Sequence, residues 1–145
     1  MRYYSREQVG VLDGTVQPPL LADGQLINAK ERRVRATINF ADRQLAIGDD
    51  VILGKRPRNS YYMGHRIIAS VSLGATTLAL GAVGNSQKYR PAAVFTSIDT
   101  PLAVALTAQV AADKLATDEL QLATFAAAAP PAAGLLVIET IYTYD

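Results

Sequence analysis

The stretch Asp50–Tyr89, DVILGKRPRNSYYMGHRIIASVSLGATTLALGAVGNSQKY, decides the fold class. From Arg66 to Leu73, Ile67, Ala69, Val71 and Leu73 fall on one face and Arg66, Ser70 and Ser72 on the other, with Ile68 the one apolar residue on the polar face. A period of two marks a strand with one wet side, because successive side chains of an extended chain point to opposite faces. Gly74 ends that strand, Thr76–Ala82 starts a second short one, and Gly81 and Gly84 close it. The segment GAVGNS therefore reads as a hairpin turn. It shares glycines with a phosphate-binding loop but lacks the Lys-Ser/Thr ending and the following helix.

The same alternation extends in both directions. In ERRVRATINF (Glu31–Phe40), Val34, Ala36, Ile38 and Phe40 oppose Arg33, Arg35, Thr37 and Asn39, which predicts a half-wet first strand. Val51-Ile52-Leu53 reads as a short buried strand, joined to the long one by a basic loop, GKRPRNSYY (Gly54–Tyr62), with Pro57 and Asn59 as turn formers. Arg90–Ile98 follows, with Pro91 at a strand start or edge. In residues 99–117, Leu102, Val104, Leu106, Ala108 and Val110 alternate cleanly, yet Thr100 and Pro101 also suit a helix start. The surrounding strands favour strand there. In Asp118–Phe125, Leu120 and Leu122 are set against Glu119 and Gln121; an Ala/Pro turn (Ala126–Gly134) leads to LLVIETIYTY (Leu135–Tyr144). Leu136, Ile138, Tyr142 and Tyr144 share a face with Thr140 in that closing strand. About eight strands predict an all-β, jelly-roll-like antiparallel β-sandwich.

At 145 residues, half of them apolar and 19% charged, the chain has enough material for one domain with a core. No apolar run approaches the ~20 residues that span a bilayer, and MRYYSREQ lacks the apolar stretch of a secretory signal. There is no cysteine, so disulfides and thiolate metal sites are excluded. Residues 1–66 hold 11 Lys/Arg and 7 Asp/Glu, whereas residues 67–145 hold 3 and 6. This split suits head-to-tail contact between copies, or docking on an oppositely charged surface. It is too mild for a nucleic-acid partner.

Residues 1–30 read as an extended N-terminal arm preceding a sandwich domain of residues 31–145. Glycines and the pair Pro18-Pro19 punctuate the arm and suit neither a helix nor a central strand. Tyr3, Tyr4, Val11, Leu12, Leu20, Leu21 and Ile27 are too apolar for a solvated linker, so the arm is expected to lie along another surface. Lys55, Arg56 and Arg58 with Tyr61 and Tyr62 form a second candidate contact, since Arg and Tyr are enriched at interaction hot spots.

The sequence offers little to catalysis. His65 is the sole histidine and is expected to pack at a strand start. Adjacent carboxylates (Asp49-Asp50, Asp118-Glu119) point to opposite faces of a strand and do not converge. No dinucleotide fingerprint or nucleophile elbow is present, so no enzyme, cofactor or metal is expected.

From about Gly48 onward, the ordered series GDDVILG, MGHRIIASVSLG, ATTLALGAVGNSQKY and LATDELQLATFAAAAPPAAGLLVIETIYTYD resembles small virion structural proteins of tailed bacteriophages, over roughly two-thirds of the chain. Such proteins look like capsid decoration (cement) proteins: β-sandwich knobs, commonly trimeric, on the outer shell of the head. The resemblance implies the major capsid protein and copies of itself as partners, a virion location after synthesis in the host cytoplasm, and no membrane. It carries over no catalytic residue. Two other roles keep the same fold, a receptor- or carbohydrate-binding module of a tail or fibre and a tail-tube or connector component. The absence of Trp counts against the sugar-binding role.

Overall fold

The computed structural model describes residues 30–104 and 107–144. The proposed arm, Lys30 apart, lies outside the described residues. Eight strands follow one another: β1 (Lys30–Asn39), β2 (Asp50–Arg56), β3 (Tyr61–Ala69), β4 (Thr77–Ala82), β5 (Asn85–Val94), β6 (Leu102–Ala103), β7 (Glu119–Ala126) and β8 (Leu135–Tyr144). They form two four-stranded sheets, ordered β1-β8-β3-β6 and β2-β7-β4-β5. Every pairing is antiparallel, and β1 with β8, β2 with β7, β3 with β6 and β4 with β5 are all neighbours. The chain is thus a long ribbon, its first half paired against its second and rolled over on itself. This is the jelly-roll sandwich expected from the strand count.

The two-residue period explains which faces meet. Ile38 and Phe40 from the β1 end, Ile67 and Ala69 from β3, and Leu136 and Ile138 from β8 are buried together. They meet Leu78 and Leu80 of β4 and Ala123 and Phe125 of β7. Phe40 and Phe125 bridge the two sheets edge to face, 6.0 Å between centroids at 79°. Each of the large ones (Phe, Leu and Ile) contributes roughly 1.5–3 kcal/mol when fully buried. The β1–β2 seam is closed by contact: a Cβ on Gly54 would stand 2.6 Å from Val34 Cγ1. Gly81 lets the start of β5 fold across β4, because a Cβ there would strike the backbone of Asn85 and Ser86.

Several expectations are corrected. The basic loop is shorter than read: β2 runs to Arg56 and β3 begins at Tyr61, leaving a turn at 57–60 with Asn59 left-handed at φ 63°. The long strand accordingly ends at Ala69, not Leu73, although Val71 and Leu73 still face inward. Ile52 is 63% exposed and so is not part of a buried strand. The strand expected at Arg90–Ile98 instead spans Asn85–Val94 as β5, an edge strand, so Pro91 does lie at a sheet edge, where the pairing with β4 slips register. The alternating segment 102–111 is not one strand. Among its described residues, only Leu102–Ala103 forms strand, pairing with Ile67 and Arg66 of β3. A short helix, α1 (Ala108–Ala112), follows, with the Thr107 hydroxyl accepting from Val110 N–H at 3.3 Å. Alanine-rich sequence satisfies both periods. With only two residues paired to β3, the threonine cap and helix propensity decide the remainder.

Candidate functional site

In β7, Phe125 and Ala123 point inward and are fully buried, so Gln121 and Glu119 point inward too while Leu120 and Leu122 face out. This reverses the facing expected from the leucines. A bulge at Ile52/Gly54 likewise turns Lys55 outward and Arg56 inward on β2. The result is a polar cluster inside one end of the sandwich. Arg56 Nη1 donates to Tyr89 Oη at 2.7 Å and Nε donates to Ser60 Oγ at 3.1 Å. Tyr89 Oη donates in turn to Glu119, whose other oxygen accepts from Lys88 Nζ at 2.6 Å. Tyr62 Oη and His65 Nδ1 are 2.5 Å apart, and the Tyr62 and Tyr89 rings lie 4.3 Å apart.

Electrostatics follow from this packing. Burial, reinforced by the Arg56 cation, lowers the His65 pKa to about 4, so the imidazole is neutral near pH 7. Burial raises both tyrosine hydroxyls well above their ordinary value. Burial also pushes the Glu119 carboxyl up, but hydrogen bonds from Lys88 and Tyr89 outweigh it and hold the group below the usual carboxylate range. Among the described residues, His65 Nε2 and Gln121 Nε2 are buried without a geometric hydrogen-bond partner, yet the Gln121 side chain is near enough to His65 to offset part of the lowering of its pKa. Arg56, Tyr62 and His65 are at most 2% exposed, so the heart of the cluster cross-links the sheets away from solvent, while Lys88 and Glu119 are half-buried at its edge. Its signal in the sequence was the parity that Glu119 and Gln121 share with Phe125.

The expected contact residues divide. Tyr3, Tyr4, Val11, Leu12, Pro18, Pro19, Leu20, Leu21 and Ile27 lie outside the described residues. Arg56 and Tyr62 are interior and leave the candidate surface, whereas Lys55 and Arg58 stay exposed and Tyr61 half-buried at one end. Lys55 Nζ lies 2.9 Å from Asp118 Oδ2, and Arg58 N–H donates to Asp118 Oδ1 at 2.9 Å. The Arg58 backbone donor and the Lys55 ammonium hold the Asp118 carboxyl below its ordinary pKa. Lys114 Nζ stands 5.8 Å from the Tyr61 ring centre. The sequence reading missed the apolar surface beside these charges. Leu120 is the cross-strand partner of Lys55 and is 45% exposed, and the nearby turn residue Val83 is 67% exposed.

The described chain is an antiparallel β-sandwich with Lys55, Arg58, Val83 and Leu120 exposed at one end, and solved chains of the same fold come from phage capsid structures. The cyanophage Pam1 capsid asymmetric unit contains a chain of the same fold, with a TM-score of 0.65 and 17% identity, covering 89% of this chain and 95% of that one. A chain of the acid-stable capsid of Helicobacter pylori bacteriophage KHP30 gives 0.59 and 9%, covering 79% and 87%. One from the capsid of Ralstonia phage GP4 gives 0.59 and 17%, covering 81% and 84%. No family model and no curated protein matches the chain. At these identities the likeness is one of fold.

Proposed function

We propose that the chain is a structural protein of a phage virion, of the decoration or cement kind. In this reading a homotrimer binds the major capsid protein on the outer surface of the head and stabilises the shell. The observation that carries the reading is the near end-to-end match of the sandwich to chains from three phage capsid structures. A sandwich whose buried polar groups serve packing agrees with a structural role. The mechanism is mass action: whatever binds only the assembled shell stabilises it. Many copies on one lattice turn modest contacts into avidity. Residues 1–30 and the exposed Lys55 and Arg58 supply the grip. The test is occupancy on purified heads of the encoding phage, stripped of this protein and re-incubated with it. Saturable binding that raises the temperature of head rupture is expected, and absence of binding would refute the role. Deleting residues 1–28 should lower occupancy; undiminished binding would remove the arm from the mechanism.

A further inference from the structure

The two ends of the sandwich carry opposite charge. Antiparallel pairing brings the start of β1, the β2–β3 turn, the β4–β5 turn and the start of β7 to one end. Lys30, Arg32, Lys55, Arg58, Lys88 and Lys114 gather there, joined by Arg33 and the buried Arg56. Five carboxylates oppose these eight cations: Glu31, Asp113, Asp118, Glu119 and Glu139. Four of these are already engaged, Glu31 and Glu139 by Arg33 at 3.0 and 3.3 Å, Asp118 by Lys55 at 2.9 Å and Glu119 by Lys88 at 2.6 Å. Lys30, Arg32 and Lys114 make no ion pair among the described residues. At the opposite end Asp42, Asp49, Asp50 and Asp99 meet one exposed cation, Arg43, and the buried Arg90, whose guanidinium donates to Leu78 O and Val94 O. Asp99 is placed there by its N–H bond to Ala69 O, 2.7 Å, and Asp49 by accepting from Phe125 N–H at 3.0 Å.

The basic end also holds exposed apolar surface. Lys55 and Leu120 are cross-strand partners, and Val83 N–H donates to Leu120 O at 3.2 Å. An apolar centre with a charged rim is the anatomy of a protein interface. Cations interleaved with carboxylates do not form the unbroken basic face that nucleic acid selects. We propose that this end is a docking surface for an acidic protein surface, which seats its apolar centre on Val83 and Leu120 and neutralises the surplus cations. The inference rests on the proposed function in taking that partner to be the head shell, and it leaves the aspartate-rich end facing away.

The test compares Lys55→Glu/Lys114→Glu and Val83→Asp with a charge reversal at the other end, Asp42→Lys, all in the full chain. Unchanged unfolding midpoints identify variants that fold. Binding to stripped heads should fall about tenfold or more for the basic-end variants and become less salt-sensitive for the double reversal, while Asp42→Lys binds as wild type. Unaltered binding by the basic-end variants, or loss through Asp42→Lys instead, would overturn the assignment. A glutamate–tyrosine copolymer is the second probe. If wild type binds no heads, the head role fails. The surface assignment then stands if the copolymer binds and the basic-end variants lose it, and falls otherwise. Binding of duplex DNA, lost in the same variants while the copolymer is ignored, would show a nucleic-acid surface in its place.

Discussion

Acidification should weaken this fold through one imidazole. His65 is buried between Tyr62, Tyr89 and the Arg56 cation, with a folded-state pKa of about 4 against 6.5 in the unfolded chain. Below pH 6.5 the unfolded chain takes up a proton that the folded chain refuses. The stabilisation is therefore complete above pH 6.5 and lost as pH falls toward 4. A shift of that size corresponds to about 3 kcal/mol, a large share of a domain's net stability. With a guanidinium m-value of about 3 kcal/mol/M, the midpoint should drop by about 1 M. Far-UV circular dichroism at fixed protein concentration, from pH 7.5 to 4, provides the assay, because the chain has no Trp to report by fluorescence. Asp118 and Glu119 have depressed pKa values, so their contributions also fade in acid, at the lower end of the range. The non-titrating variant His65→Gln separates the terms. It should start less stable at pH 7.5 but lose about 3 kcal/mol less than wild type on acidification. Equal losses in the two proteins would refute the reasoning, as would an imidazole resonance that titrates near 6.5.

Three further outcomes follow from packing. Phe125→Ala removes the edge-to-face contact with Phe40 and should cost about 3–5 kcal/mol, read as a fall in the urea midpoint; a loss below 1 kcal/mol would contradict its place in the core. Gly81→Ala puts a Cβ into the backbone of Asn85 and Ser86 and should cost about 1–3 kcal/mol, with faster amide exchange confined to β4 and β5. Glu119→Gln leaves Lys88 and Arg56 without their carboxylate and should cost about 3 kcal/mol at neutral pH. A smaller penalty at pH 4 than at pH 7 is expected, because in acid the unfolded wild-type chain takes up a proton that folded Glu119, held low, refuses.

The alternation in β1, β3 and β8 was legible because each has a wet face and a dry one, and the sequence records that difference at every second residue. The hairpin at Val83-Gly84 was legible for a local reason, since a tight turn between paired strands needs glycine. Other features were not local. Leu120 faces out because Phe125, five residues on, takes the core position. Arg56 faces in because one bulge at Gly54 reverses the parity of the end of β2. The segment 102–112 satisfied both strand and helix periods, and the length of its pairing with β3 made the choice.

The charge pattern separates the two levels most clearly. Read along the chain, the first half is basic and the second acidic. In the fold, Asp42, Asp49 and Asp50 of the first half join Asp99, while Lys88 and Lys114 of the second half join Lys30 and Lys55. The order of residues determined an eight-stranded sandwich, because a period of two is a property of neighbours. Which side chains share an end was decided by the antiparallel register, which sets side by side residues far apart in the chain.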